Sequence, residues 1–196
     1  MKVKAPLLAV ALSALLIAKP QAAIAGSIRS VAAARAEAKV QHIETNGELA
    51  HPDRRPTEFT ADEINAYFAS GEVDLPAGVQ SVRFQGTAGV VTASCRVDFD
   101  QVEAGRNSAN PLLSLFSGIH DVVVVANAAG AGGEGNVEVQ SVSLDGVEIP
   151  RFVLGLFVDK FLTPRYPNVG LDSRFSLPDK IESAVVGADQ LSITQK

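Results

Sequence analysis

Residues Val91, Ala93, Cys95, Val97 and Phe99 alternate with Thr92, Ser94, Arg96, Asp98 and Asp100. A period of two places the first set on the buried face of a β-strand and the second against water. The preceding segment, Val79 to Gln85, alternates in the same way, with Val82 and Phe84 on one face and Ser81, Arg83 and Gln85 on the other. The turn Gly86-Thr87-Ala88-Gly89 joins the two strands as a hairpin. Ahead of the hairpin the period changes: Thr60-x-x-Glu63 is a capping box, and Ile64, Tyr67 and Phe68 follow at helical spacing, predicting a helix from about Thr60 to Ala69.

The same order of elements recurs twice. Asn110-Pro111 opens a short apolar helix, PLLSLFSG, and two strands follow, Ile119 to Ala126 and Val137 to Leu144, joined by a glycine-rich turn. A third pass consists of a helix from Arg151 to Leu162, a proline-broken loop TPRYPNVGL, and a hairpin of Ile181 to Val186 and Leu191 to Thr194 around Gly187-Ala188-Asp189. Sequence identity between the passes is negligible, so the pattern is one of elements and not of repeated sequence. The pattern predicts an α+β domain, an antiparallel sheet of about six strands with three or four helices. Upstream, Ser27 to about Gln41 is alanine-rich and reads as a lightly docked helix favoured by propensity. Thr45 to Pro56 is polar and turn-rich, a loop or linker. Residues 26–56 are thus an N-terminal helix and linker, and 57–196 a single domain.

Two elements are more apolar than a one-sided domain requires. Val122 to Ala126 is an unbroken apolar run, expected of a strand covered on both faces. In RFVLGLFVDKFL only Arg151, Asp159 and Lys160 are charged, while Phe152, Val153, Leu154, Leu156, Phe157, Val158, Phe161 and Leu162 are distributed almost all round the helix. Such a helix is buried on several sides or lines an apolar cavity.

The first thirty residues change the picture. Lys2 and Lys4 precede an apolar run from Ala5 to Ala18, and Ala23-Ile24-Ala25 follows as an A-x-A site, the pattern of a secretory signal peptide spanning residues 1–25. The run is shorter than the roughly twenty residues that cross a bilayer, and Lys19 and Pro20 interrupt it. The expected product is exported, periplasmic or extracellular, and soluble after cleavage. Removing Lys2, Lys4 and Lys19 takes the formal charge from -5 to -8. An acidic chain without a basic stripe is a poor nucleic-acid ligand, because phosphate neutralisation supplies most of that affinity. The single cysteine, Cys95, forms no internal disulfide and reads as a small buried hydrophobe.

Chemistry-bearing motifs are sparse. Gly130-x-Gly132-x-x-Gly135 matches the dinucleotide fingerprint, but that fingerprint requires a helix next, and NVEVQSVSL is strand-like. A hairpin loop explains the glycines. His42, His51 and His120 show no metal-ligand spacing, no G-x-S-x-G elbow is present, and Asp98 and Asp100 are expected on a solvated strand face. No catalytic residue, metal site or cofactor is expected. In Pro164-Arg165-Tyr166-Pro167, an arginine beside a tyrosine follows the most apolar helix; it either holds an anionic head group or packs while Arg165 reaches solvent.

The segments FTADEINAYFAS, LPAGVQSVRFQGTAGVVTASCRVDF, GVEIPRFVLGLFVDKFL and LPDKIESAVVGADQLSIT resemble exported bacterial lipid-binding proteins, single-domain relatives of the TULIP-like and AsmA-like groups. The resemblance covers about Phe59 to Thr194. It implies a strongly curved antiparallel sheet wrapped on helices, with an apolar groove for an acyl chain or polyisoprenoid, a site that needs little polar chemistry. The chain is short for a long conduit, which favours a single pocket.

The expected function is non-enzymatic binding or transfer of a hydrophobic, lipid-like ligand in the cell envelope, with a membrane surface or an envelope protein as further partners and no nucleic acid. The expected lining is Leu112, Leu115, Phe116, Phe152, Leu156, Phe157 and Phe161, with Arg165 toward a charged head group. The alternative is an envelope structural or protein-interaction domain without a ligand cavity, using a strand edge or the N-terminal helix.

Overall fold

A computed structural model of the chain describes residues 30–102, 111–164, 166–167 and 170–196. The expected leader at 1–25, Asn110 at the expected start of the second helix, and Arg165 lie outside the described residues. Helix α1 (Val31–Glu48) begins at Ser30, whose side chain accepts a hydrogen bond from the Ala33 amide at 3.1 Å. It extends beyond Gln41 into the segment expected to be linker, and it is firmly docked: Ala33, Ala36, Val40 and Ile43 are all buried. These residues recur at helical spacing, but two of the four are alanines, so the stripe scores weakly as an apolar face while still allowing close approach.

What α1 packs on is α2 (Ala61–Ala69), preceded by β1 (Thr57–Thr60). The capping box forms as the sequence predicts. The Glu63 amide donates to Thr60 Oγ1 at 3.2 Å, and the Thr60 amide donates to Glu63 Oε2 at 3.0 Å. Lys39 of α1 donates to the same carboxylate at 2.6 Å. Burial pushes the Glu63 carboxyl up, and the Lys39 and Thr60 hydrogen bonds more than offset that, leaving it below the usual carboxylate range. Near the end of α1 the buried Asn46 amide donates to the Asp53 carbonyl and to Gln195 Oε1, and accepts from the Asp53 amide. Gln195 in turn donates to the Ile43 and Asp179 carbonyls. Buried amides this fully paired tie the helix to the C-terminal strand.

The remaining strands are β2 (Val79–Thr87), β3 (Val90–Asp98), β4 (Ile119–Ala131), β5 (Glu134–Leu144), β6 (Val147–Glu148), β7 (Asp172–Ser176), β8 (Ile181–Gly187) and β9 (Gln190–Gln195). They form one antiparallel sheet of nine strands among the described residues, in the order β1-β9-β8-β4-β3-β2, with β5 on the other side of β4 carrying β6 and β7. The expected number of about six is therefore too low. All six predicted strands are present; β1, β6 and β7 are the additions. Each is short, lies against one neighbour, and takes its conformation from pairing with β9 or β5 rather than from its own pattern.

β4 is the hub. It pairs with β3 over Ile119–Asn127, with β5 over Val122–Ala131, and at Ala129 and Gly130 with β8. Val122, Val124, Ala126 and Ala128 face the core. Val123 and Val125 lie on the opposite face, half-buried, opposite Ser94 and Thr92 of β3 and Ser143 and Ser141 of β5. The valine run is thus covered by a packed layer on one face only. Cross-strand neighbours partly shield the other.

Gly130-x-Gly132-x-x-Gly135 closes the β4–β5 hairpin. Gly132 and Gly133 occupy left-handed backbone (φ 64° and 81°) in the two-residue turn, the conformation such turns demand. Gly130 and Gly135 pair across the strands, and a Cβ on Gly135 would lie 2.5 Å from the Phe175 ring. Here the glycines serve a turn and a close approach, with a strand where the nucleotide fingerprint needs a helix.

Candidate functional site

Two short helices meet at one corner of the sheet. The first is a 3₁₀ helix, Pro111–Leu115, and the second is α3 (Arg151–Phe157), continuing as a π-helical turn over Val158–Leu162. A 3₁₀ helix has three residues per turn, so its apolar side chains divide into two rows. Leu113 and Phe116 are buried, while Leu112 and Leu115 remain 41% and 49% exposed. α3 divides likewise at i, i+4: Val153, Leu154 and Val158 face inward, and Phe152 and Leu156 are 63% and 38% exposed. The helix expected to be buried on several sides or to line an apolar cavity is therefore buried on one side and carries exposed apolar residues on the other.

Beneath these exposed side chains the rings of Phe99, Phe116, Phe157 and Phe161 form a connected cluster. Centroids lie 5.5 Å apart for Phe99 and Phe116, 4.3 Å for Phe116 and Phe157, and 5.3 Å for Phe157 and Phe161. Phe99 meets Phe157 edge-on at 5.8 Å. Phe116 is 2% exposed, whereas Phe157 and Phe161 are half-buried at the boundary between cluster and solvent. Lys160 Nζ stands 5.3 Å from the centroid of the Phe161 ring. Of the predicted lining, Leu112, Leu115, Phe152 and Leu156 are exposed, Phe157 and Phe161 are half-buried members of the ring cluster, and Phe116 is core. Arg165 lies outside the described residues.

α3 violates several rules of helix construction. It starts at Pro150 with no side-chain cap. Gly155 sits mid-helix although a Cβ there would meet nothing within 4 Å. The chain then widens into the π turn, where the Thr163 amide donates to the Val158 carbonyl at 2.8 Å. Arg151 is placed at the helix N-terminus, where the dipole disfavours a cation. Its guanidinium compensates by bolting the helix down: Nη1 donates to the Val139 carbonyl at 2.7 Å, and Nη2 reaches both oxygens of Asp172 at 3.1 and 2.9 Å. Arg151 is thereby committed to holding α3 against β5 and β7.

Other candidate chemistry lies elsewhere or has structural partners. Cys95 is buried on β3, and burial pushes its thiol up to about 11, so it is not a nucleophile near neutral pH. Asp98 and Asp100 organise the turn after β3, accepting from the Asp100 amide, Gln101 and the Gly118 amide. His42 and His51 are exposed. His120, at the start of β4, contacts Asp145 and the Ser117 carbonyl. Sequence reasoning assigned Phe99 to an ordinary core face and gave His120 no partner; alternation locates a ring in a core but not which rings it joins. Among the described residues no group of three or more His, Cys, Asp or Glu side chains is arranged to hold a metal ion, and no helix is long and apolar enough to cross a membrane. In comparisons with protein-family models, curated proteins and solved structures, the chain matches none.

Proposed function

We propose that this protein binds a hydrophobic, lipid-like ligand, without catalysis, at the corner formed by the 3₁₀ helix and α3, and that it does so as an exported protein of the cell envelope. The observation that carries this proposal is the exposure of Leu112, Leu115, Phe152 and Leu156 on two adjacent helices whose Phe116, Phe157 and Phe161 rings join one cluster, the floor of the proposed site. Exposed apolar residues scattered singly are ordinary; several together mark interaction surfaces. Full burial of one such side chain contributes about 1.5–3 kcal/mol, and the exposed parts of the four amount to about two whole side chains, so completing their burial supplies roughly 3–6 kcal/mol gross, a substantial part of the roughly 8 kcal/mol in a micromolar complex. Phe157 and Phe161 offer flat, rigid surface to an acyl chain. A sheet curved round its helices belongs to the same proposal. The register shifts in the β2–β3, β4–β5 and β8–β9 ladders support it, because bulges bend and twist strands.

The test is native mass spectrometry of the full chain purified from an envelope fraction, with lipid extraction, followed by titration with a fluorescent monoacylglycerol. Co-purifying lipid, and probe binding that Leu156→Asp abolishes while the circular dichroism spectrum is unchanged, is the expected result. A protein that carries no lipid and takes up no probe overturns the proposal in favour of an envelope interaction domain.

A further inference from the structure

The imidazole of His120 faces two acceptors at once. Nδ1 lies 2.7 Å from Asp145 Oδ2, and Nε2 lies 2.8 Å from the Ser117 carbonyl oxygen. A neutral imidazole has one N–H and satisfies only one of them; the imidazolium donates to both. The two contacts join three segments. Ser117 ends the turn that follows the 3₁₀ helix, His120 lies at the start of β4, and Asp145 opens the turn between β5 and β6 in left-handed backbone, φ 49°. Asp145 is itself anchored, since its Oδ1 accepts from the Asp121 amide at 2.9 Å.

The charged groups around this junction are otherwise engaged. The Asp121 carboxylate pairs with Arg96 of β3 at 3.0 Å. Asp98 lies opposite Ile119 in the β3–β4 ladder and accepts from Gln101. Asp100 accepts from the Gly118 amide. On its apolar side the imidazole lies 6.0 Å from the ring of Phe99, a member of the aromatic floor. The geometry points to His120 as a pH-responsive clasp that fastens the 3₁₀ segment, and with it Leu112 and Leu115, to the sheet while its imidazole carries both protons.

The hydrogen bond that His120 donates to Asp145 raises the imidazole above its ordinary value, with burial opposing, and the same bond holds Asp145 below the usual carboxylate range. A raised imidazole contributes fully below its unfolded value and is lost as pH rises through the folded one; a depressed carboxylate contributes above its unfolded value and is lost as pH falls through the folded one. The clasp is therefore complete between the ordinary carboxylate and imidazole ranges. On deprotonation Nδ1–H keeps the charged acceptor, and Nε2 turns a lone pair toward the Ser117 carbonyl, releasing the 3₁₀ end. The clasp stands independently of any ligand. Its control of ligand affinity rests on the function proposed above.

Hydrogen exchange of the full chain at about pH 5.5 and about pH 8, corrected for intrinsic exchange, tests it. Amides of residues 112–118 are expected to exchange roughly three- to tenfold faster at the higher pH, the factor that follows from losing one ordinary net hydrogen bond at a partly exposed site, while amides of β3 do not change. His120→Gln should exchange fast at both pH values, and His42→Gln should keep the step. Should His120→Gln fail to fold, NMR titration of the wild-type imidazole and of Asp145→Asn decides: His120 should titrate above an ordinary histidine, and Asp145→Asn should bring it back. No step in exchange, or an imidazole titrating at the ordinary value, overturns the clasp. Binding of the monoacylglycerol, whose head group does not titrate, should weaken several-fold from the lower to the higher pH in the wild type only. A clasp signature without any probe binding would leave the clasp intact and defeat the ligand proposal.

Discussion

The α1–α2 end of the molecule and the corner at α3 are built from the same kinds of residue in opposite ways. At the α1–α2 end each device of helix construction is used: a serine cap on α1, a capping box on α2, a Lys39–Glu63 ion pair shared with that box, and buried amides at Asn46 and Gln195 with partners on every side. Phe59 there is fully buried. At α3 the cap is missing, a glycine weakens the helix, a π turn ends it, and Phe152 projects into solvent. Local rules that are broken without compensation in packing concentrate at functional or strained sites, and π turns inside helices are frequent at such sites. The difference places stability at one end, and the proposed interaction lies at the other.

The comparison is sharpest for a single residue type. Phe59→Ala should destabilise the protein by about 3–5 kcal/mol, the usual loss for a large buried ring, measured as a fall in the urea midpoint at unchanged slope. A loss under about 1 kcal/mol, inside the range of surface substitutions, would erase the distinction between the two ends. Gly155→Ala should act in the opposite direction, stabilising by about 0.5–1 kcal/mol, because the helical backbone accepts a Cβ and the space around it is open. Destabilisation there would mean that α3 needs the glycine for a second conformation. The smallest effect on stability belongs to Phe152→Ser, which should stay within about 0.5 kcal/mol of wild type while weakening monoacylglycerol binding. If it unfolds the protein as Phe59→Ala does, α3 is part of the core and not an exposed apolar face.

Much of the fold was legible where a single strand or helix decides its own environment. The β2–β3 alternation, the Thr60–Glu63 capping box and the hairpin reading of the glycines at 130–135 follow from period, cap chemistry and turn chemistry, all local. The three passes of helix and hairpin also appear in the element order, with the 3₁₀ helix as the second helix. The short strands were not legible. Thr57–Thr60 and Asp172–Ser176 have too few residues to show a period, and only β9 and β5 make them strands. The docking of α1, expected to be light, was underestimated for a related reason: alanine contributes little to an apolar pattern yet permits close contact.

At the candidate site the sequence by itself determined that two helices are unusually rich in large apolar residues, Leu112 to Phe116 and Phe152 to Phe161. Composition and spacing are enough for that, because they count side chains without placing them. Only the tertiary structure decided which of these side chains remain in contact with water, that Phe116 belongs to the core while Phe152 does not, that Phe99 joins the ring cluster from the turn after β3, and that Arg151 and His120 find partners on β5, β7 and the β5–β6 turn. The physical reason is the range of the interactions. Helix and strand periods arise between residues a few positions apart, whereas exposure, ring contacts and the two acceptors of His120 depend on segments that only folding brings together.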